Sequence, residues 1–513
     1  MKLLNRRVLI IIKILGLIVG FIVDKVFVVS EELGMTVRKK DFGEWYLEVV
    51  KKAGLLDQRY PVKGFPVYMP WAVFMIKRIT SMLEQGLEQS GHEPAAFPVV
   101  IPESSLRKER EHVKSFEKEV FWITHAGQNK LDERLFLRPT SETAIYPMYS
   151  LWIRTYQDLP LKLYQSCQVY RYETKMTKPL IRGREFFWIE SHTVQRTNED
   201  AKKQIEEDMK ITEDVIEKKL GIPFILCERP PWDKFPGAEG TYAYDTIMPD
   251  GKTAQVATTH NLGTRFSKPF DIKFVDENEK KQYAYQTCFG PGVSRILSAV
   301  ISVHGDDKGL VLPPELAPVQ VVIIPISVKG HEKDVIKKSN ELCAELSKCL
   351  RVKLDNRNYR PGFKFNEWEL KGVPVRLEIG PDDVAKKQVT LVRRDTGKRI
   401  VVSDGEAKKE IDEIMKDIFD NMKARAKKFF DENLREAKNY KELKEKLKQG
   451  GLVKISFCYE EDCAQKLKDD TGAEIRGPVF KSNEKPGEKC AHVDLLIRNS
   501  LSDTFLILNT LLS

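Results

Sequence analysis

Apolar positions along the chain recur with two different periods. In residues 70–90, PWAVFMIKRITSMLEQGLEQS, they return every third or fourth position, which predicts a helix burying one stripe. The extended piece PAAFPVVIP, 94–102, follows it, and a second helical repeat covers 198–219, from a turn at Asn198 to Gly221-Ile-Pro. From 319 onward, strand-like runs alternate with helical ones: VQVVIIPI, a helix to about Leu350, RVKLDNR, then VPVRLEIG and QVTLVRR. Strand–helix–strand order with short connections predicts a small α/β domain with a mixed or parallel sheet. Residues 405–449 are densely charged with apolar residues at helical spacing, the pattern of a solvated amphipathic helix pair. A last β-rich piece begins at Gly450, and no internal repeat or low-complexity linker breaks the chain.

Composition narrows the class only broadly. At about 150 residues per domain, 513 residues imply roughly three or four domains. With 42% hydrophobic and 31% charged residues the chain can form packed cores, which argues against disorder, collagen and coiled coil. The 84 basic residues exceed the 75 acidic ones by nine, an excess that suits a polyanionic partner without demanding one. Eight scattered cysteines fit a reducing compartment, hence a cytoplasmic protein, better than a disulfide scaffold. Residues 8–23, VLIIIKILGLIVGFIV, are the exception. At 16 residues the run is shorter than the roughly 20 that span a bilayer, Lys13 would be costly at its centre, and no small-x-small cleavage site follows. Residues 1–34 are therefore set apart as an N-terminal extension, read as an upstream addition, a membrane-associating segment or a signal. The globular part is expected to begin at Met35.

Chemistry is concentrated in 136–196. The segment holds FLRPTSETAIYPMY, LYQSCQVYRYETK and RGREFFWIESHTVQRT. Taken as a strand of period two, the last places Arg184, Phe186, Trp188, Glu190 and His192 on one face, with Phe187, Ile189 and Ser191 on the other. That first face is a poor core surface. On the preceding strand Val169, Arg171 and Glu173 share a face, and a basic loop with Lys175, Lys178 and Arg182 joins the two. Cations for phosphates, an aromatic plate for a base and carboxylates for an amine make this hairpin a nucleotide-site candidate; the bland alternative is a salt-bridged surface hairpin.

These residues carry a resemblance. Arg171-x-Glu173, a loop and Phe186-x-x-x-Glu190 resemble motif 2 of class II aminoacyl-tRNA synthetases. Gly290-Pro-Gly-Val-Ser-Arg295, leading into ILSAVISV, is similar to motif 3, and Gly91 through Pro98-Val-Val to motif 1. RPTSET (138–143), FFWIESHT and QVATTHNLG narrow the resemblance to prolyl-tRNA synthetases. About 90 residues separate motif 2 from motif 3, which leaves no room for the large editing domain of bacterial-type members, so the archaeal/eukaryotic type is expected.

The resemblance implies a fold, an activity and a set of roles. The fold is an α+β catalytic domain with an antiparallel sheet over 35–317, an α/β anticodon-binding domain over 318–404, and a small α+β C-terminal domain over 405–513. The activity is ATP-dependent attachment of L-proline to tRNA(Pro) by a homodimer, with Mg²⁺ accompanying ATP and no DNA or membrane partner. Proline activation needs no general base, because the attacking carboxylate is already ionised; positioning and charge neutralisation carry the rate. Arg171 and Arg295 are the implied catalytic residues. Thr140, Glu142, Arg171, Trp188, Glu190, His192 and His260 are implied to bind proline, the acceptors Thr140 and Glu142 alternating on one strand face. Arg171, Glu173, Arg182, Arg184, Phe186, Gln255, Thr258, Ser294 and Arg295 are implied to bind ATP. Arg357, Lys364, Glu367 and Lys371 are the implied anticodon readers. Cys458, Cys463 and Cys490 resemble three ligands of a C-terminal Zn²⁺ module whose fourth cysteine is missing, since Val493 stands in its place; His492 is a conceivable substitute. The rival reading is a catalytically silent synthetase-like RNA-binding or regulatory protein, which intact Arg171, Glu173 and Arg295 argue against.

Overall fold

A computed structural model describes residues 34–107, 118–174, 176–481 and 490, together with the backbone of 504–509. The apolar run 8–23, Lys175, His492 and Val493 lie outside the described residues. Among the described residues no helix is long and apolar enough to cross a membrane.

A seven-stranded sheet organises the catalytic domain. Its order is Glu93–Pro94, Leu161–Tyr170, Glu185–Gln195, Tyr285–Phe289, Thr253–Gly263, Gly240–Ile247, Ile225–Glu228. Only the first pair is parallel; every other pairing is antiparallel. The period-two pattern of Glu185–Gln195 sets its two faces. Phe187 and Ile189 enter the main core with Phe289, Ile296 and Leu297, while Glu190 and His192 face the other way. Helices Pro70–Gln89, Asn198–Thr212 and Val293–His304 cover the core face, as their apolar stripes require. The front face stays open except at one end, where helix Glu142–Trp152 packs through Ile145, Tyr146 and Tyr149 on Val194, Leu262 and Phe266. The expected helix at 198–219 is present but continues from Glu213 to Lys219 as a π-helix.

The next domain is the mixed α/β unit its pattern predicted. Strands run in the order Val352–Leu354, Val321–Pro325, Val375–Ile379, Gln388–Arg393, Arg399–Ser403, the first three parallel and the rest antiparallel. The charged run beyond residue 404 is less solvated than its composition suggested. Helix Ala407–Glu432 seats Ile411, Ile414, Ile418 and Met422 in the core under this sheet, so the α/β layer extends past the expected boundary. The C-terminal α+β unit has a four-stranded sheet ordered Leu434–Glu436, Leu452–Ser456, Thr504–Asn509, Ala473–Pro478. Arg394 ties the α/β unit to the catalytic domain by donating twice to the Asp306 carboxylate, at 2.7 Å each.

Candidate active site

The antiparallel register of Leu161–Tyr170 and Glu185–Gln195 builds the floor of the site. It sets Val169 opposite Phe186, Cys167 opposite Trp188, Gln165 opposite Glu190 and Leu163 opposite His192. The strand ends at Tyr170, one residue before Arg171, so Arg171 and Glu173 sit on the outgoing loop and not on the strand face expected for them. Arg171 still continues the ladder, its N–H donating to the Arg184 carbonyl at 3.0 Å. Its guanidinium donates through Nε to the Pro139 carbonyl at 3.0 Å and lies 5.5 and 5.4 Å from the Phe186 and Trp188 ring centres. Burial lowers its pKa, against the opposing fields of Glu119, Glu190, Glu142 and Glu173. Thus one cation faces two aromatic rings and a ring of carboxylates. Gly290 permits this packing: a Cβ there would come within 2.6 Å of the Trp188 indole.

Thr140 and Glu142 stand elsewhere than expected. They do not alternate along a strand. Residues 139–141 turn, and Glu142 opens helix Glu142–Trp152, where an acidic residue also suits the positive end of the helix dipole. Both are buried, and the Thr140 hydroxyl donates to the Glu142 carboxylate at 2.6 Å, leaving the hydroxyl oxygen free to accept. Glu190 and His192 are buried beside them, with 3.9 Å between the Glu190 carboxylate and His192 Nε2. Burial raises the Glu190 carboxyl, but His192, Ser141 and Gln165 bring it below its usual range. Tyr146 Oη bonds His192 Nδ1 at 3.0 Å and orients the ring, while Nε2 and Glu190 Oε1 are buried without a hydrogen-bond partner. Buried polar atoms of this kind cost free energy until a ligand meets them. His260 closes the far wall, held by Thr241 Oγ1 at 3.0 Å and lying 4.6 Å from the Phe235 ring.

Cations collect on the other side of Arg171. Arg182 Nε lies 3.8 Å from the Glu173 carboxylate. Arg295 donates to the carbonyls of Ile181 at 3.3 Å and Gln255 at 3.0 Å. Burial, reinforced by Arg171 and Arg182, pushes the Arg295 pKa down to about 10. The Gln255 side-chain amide donates to Thr258 Oγ1, so these two act as one unit. Two implied ATP ligands are engaged within the protein. Arg184 donates to the Glu173 carbonyl at 3.3 and 3.2 Å and lies over the Tyr172 ring at 4.1 Å. Ser294 is buried and its hydroxyl accepts from the Phe187 N–H at 3.0 Å, joining helix to strand. A cleft of about 170 Å³ runs past Arg182, Glu185 and Phe186 to Lys63 and Tyr60.

Sequence reading missed Gln165, Arg138 and Cys288. The Gln165 amide donates to Ser141 Oγ at 2.8 Å and to Glu190 at 3.2 Å, and its oxygen accepts from the Phe97 N–H. Arg138 holds the same junction through the Phe97 and Gln168 carbonyls. The Cys288 thiol is buried with Glu142 and His192, the ligating atoms within 4.8 Å of one another. Strand register alone brings Gln165 and Cys288 here, so no local motif marks them, whereas Arg138 opens the RPTSET segment without a role being assigned to it there.

The expected anticodon residues share one end of the α/β sheet. Arg357 donates to Asp355 and Glu367, both at 2.7 Å, and Lys371 to Glu367 at 2.7 Å. Lys364 is buried and donates to the Asp355 carbonyl at 3.0 Å. Arg357 is the exposed member, whereas Lys364 and Glu367 would need to exchange internal partners to reach a base. In the C-terminal unit the sulfurs of Cys458, Cys463 and Cys490 converge within 4.8 Å of one another.

Comparisons with known proteins agree with this layout. Residues 121–304 match the family model described as tRNA synthetase class II core domain (G, H, P, S and T). Residues 320–414 match the anticodon binding domain and 440–494 the prolyl-tRNA synthetase C-terminal model. The chain is 52% identical to proline–tRNA ligase of Thermofilum pendens over 465 residues, covering 90% of this chain and 96% of that one. The Thermococcus kodakarensis counterpart is 44% identical over 462 residues, covering 88% of this chain and 96% of that one. Among solved structures, Giardia lamblia prolyl-tRNA synthetase in complex with prolyl-adenylate superposes with a TM-score of 0.88 at 38% identity, covering 92% of this chain and 99% of that one. The Cryptosporidium parvum enzyme complexed with halofuginone and AMPPNP gives 0.88 at 34% identity, covering 93% and 99%.

Proposed function

The chain belongs to the prolyl-tRNA synthetase family, and from that premise we infer that it attaches L-proline to tRNA(Pro) through prolyl-adenylate, consuming ATP and releasing AMP and diphosphate. The observation that carries this reading is Arg171, a half-buried guanidinium set between a carboxylate-lined pocket on one side and the Arg182–Arg295 cation cluster on the other. In the first step the proline carboxylate attacks the α-phosphorus and diphosphate leaves. Arg171 bridges carboxylate and α-phosphate, and its planar fork favours the in-line approach. Phe186 stacks on adenine with Glu173 at its edge. Arg295 and Arg182 neutralise charge building on the leaving diphosphate, aided by the Mg²⁺ that accompanies ATP. Gln255 and Thr258 contact the nucleotide as a pair.

Proline's secondary ammonium has two N–H groups to satisfy. The Thr140 oxygen and the Glu142 carboxylate accept them, and Glu190 and His192 supply the remaining polarity. Trp188 and His260 wall the ring. In the second step the terminal hydroxyl of tRNA(Pro) attacks the adenylate carbonyl and AMP leaves. Arg357, Lys364, Glu367 and Lys371 read the anticodon by offering donors and acceptors to unstacked bases. The enzyme works as a cytoplasmic homodimer of the archaeal/eukaryotic type. Cys458, Cys463 and Cys490 would hold Zn²⁺ through thiolates in a structural role.

Proline-dependent exchange of diphosphate into ATP, compared with threonine and cysteine, tests the reading. Exchange is expected with proline far above threonine. Its absence in a folded protein that still binds tRNA would favour the silent, RNA-binding alternative.

A further inference from the structure

The C-terminal unit does more than flank the catalytic domain. Just past its strand Ala473–Pro478, Val479 bridges to Cys227 and Phe480 donates its N–H to the Leu226 carbonyl at 2.9 Å. The chain thereby extends the catalytic sheet at its edge strand, Ile225–Glu228. Phe480 packs edge-on against Tyr242 at 5.0 Å, and Trp232 meets Tyr459 at 5.6 Å. Gly477, at φ +100°, lets the two backbones approach; a Cβ there would come within 1.8 Å of the Glu228 carbonyl oxygen. This docking delivers the side chain of Arg476 to the catalytic domain.

Arg476 arrives at a buried carboxylate. Its Nε stands 3.8 Å from Asp245 Oδ2, and its own carbonyl accepts from Arg229 at 3.1 Å. Arg229 in turn donates to Asp245 Oδ2 at 2.8 Å and to the Gln255 side-chain oxygen at 3.0 Å. Gln255 is the residue whose amide meets Thr258 and whose carbonyl holds Arg295. Asp245 Oδ1 and Arg476 Nε are both buried without a hydrogen-bond partner, so the pair sits within ion-pair range without closing its bonds. Burial raises the Asp245 carboxyl, but Arg229 and Arg476 outweigh this and keep it below the ordinary range. Arg295 lies within the field of Arg476 as well as of Arg171 and Arg182. Asp233 shares the cluster, 3.6 Å from Arg229 and 3.8 Å from Arg476, and Glu474 stands 3.7 Å from Arg476. Both are partly exposed, whereas Asp245 is fully buried and therefore the carboxylate that is costly to disturb, because removing one of its cations leaves its charge under-paired in a dry setting.

We propose that Arg476 is a positioning residue of the nucleotide site, acting through Asp245 and Arg229 to set Gln255 and Arg295, so that the ATP site is complete only with the C-terminal unit docked. The proposal rests on the assignment of Gln255, Thr258 and Arg295 to ATP. It explains why an arginine reaches the catalytic domain from a separate folding unit. It also predicts an effect confined to one substrate.

The test uses the full chain with Arg476→Met, Arg476→Lys, Asp245→Asn and the Arg476→Met/Asp245→Asn double variant. Proline-dependent exchange gives KM for ATP and for proline separately, and calorimetry with AMPPNP gives nucleotide affinity without chemistry. Arg476→Met is expected to weaken ATP and AMPPNP by about tenfold while KM for proline stays within about twofold, the size expected of coupled buried charges. Arg476→Lys should recover most of the loss. The double variant should be no worse than the weaker single one. Unchanged AMPPNP affinity in folded Arg476→Met, equal losses for both substrates, or strictly additive effects in the double variant would each overturn the proposal. If Arg476→Met fails to fold, Asp245→Asn, which keeps the side-chain shape, decides on the same readouts. Calorimetry keeps this separate from the choice of amino acid: absent exchange with proline would count against the proposed function, while AMPPNP affinity still reads the relay.

Discussion

Arg171 concentrates the residue-scale chemistry. Its Nε bond to the Pro139 carbonyl and the two rings beside it hold the guanidinium plane. Lysine would keep the charge but lose the fork and the ring packing. Arg171→Lys is therefore expected to slow adenylate formation by at least about a hundredfold with little change in melting temperature. Single-turnover formation of prolyl-adenylate checks this, and a near-normal rate in a folded variant would refute the bridging role. Glu142 makes the complementary case. It receives the Thr140 hydroxyl and faces the pocket beside His192 and Cys288. Glu142→Gln keeps the size but offers a neutral acceptor to an ammonium. The expected cost is on the order of 1–3 kcal/mol in proline binding with little in ATP binding. Calorimetric titration with each substrate separates the two, and equal losses would make Glu142 scaffolding.

At the scale of elements, strand Glu185–Gln195 and helix Asn198–Thr212 show how the site face and its support divide the work. The strand spends Phe187 and Ile189 on the core so that Phe186, Trp188, Glu190 and His192 can line the site. The helix packs on the core face and buries Asp208, whose Oδ1 accepts from Gln204 at 2.9 Å while Oδ2 has no hydrogen-bond partner. Burial pushes its pKa up to about 8 from an ordinary 3.8. The sign follows from linkage: the folded state keeps a proton that the unfolded chain releases. Stability from this group is intact below about pH 4, declines between about pH 4 and 8, and is flat above. Asp208→Asn imitates the protonated form at every pH. It is expected to raise the thermal midpoint near neutrality, by an increment growing from pH 5 to pH 8. A midpoint difference that stays flat from pH 5 to pH 8 would show Asp208 to be ionised in the fold.

At the scale of the whole molecule, three units are joined by specific polar contacts. Arg394–Asp306 clamps the α/β unit to the end of the motif 3 helix, helped by Trp71 donating to the Lys371 carbonyl at 3.2 Å. Arg476 joins the C-terminal unit to the nucleotide side. Activation and tRNA recognition should consequently be separable at Arg357, which is exposed and belongs to none of these contacts. Arg357→Ala is expected to lower the kcat/KM for charging tRNA(Pro) by at least about tenfold while proline-dependent exchange is unchanged, the scale of losing one specific base contact. Parallel loss of both activities would give the α/β unit another role. Glu367→Ala is a poorer probe, because Glu367 is buried and its carboxylate accepts from both Arg357 and Lys371, so its loss unsettles the domain itself.

Local order was legible in the chain itself. The period of 70–90 reappears as helix Pro70–Gln89, the alternation of 185–192 as a strand with one core face and one site face, and the strand-rich run after 319 as a mixed sheet. These follow from nearest-neighbour geometry, which needs no partner to be decided. The resemblance to motifs 2 and 3 singled out Arg171, Phe186, Glu190 and Arg295, and the fold brings Phe186, Glu190 and Arg295 close to Arg171. Partnership could not be read this way. Thr140 and Glu142 looked like alternating strand residues, yet a turn and a helix start bring them together. The spacing of Ser294 and Arg184 likewise did not show that they bond the backbone of Phe187 and Glu173 within the fold. The first half of 407–432 looked solvated because charge dominates its composition, and only the sheet above it gives Ile411 and Ile418 somewhere to go. Gln165 meets Glu190 through strand register, and Arg476 meets Asp245 across a domain boundary. Register and docking are set by the sum of many distant contacts, so only the tertiary structure could decide them.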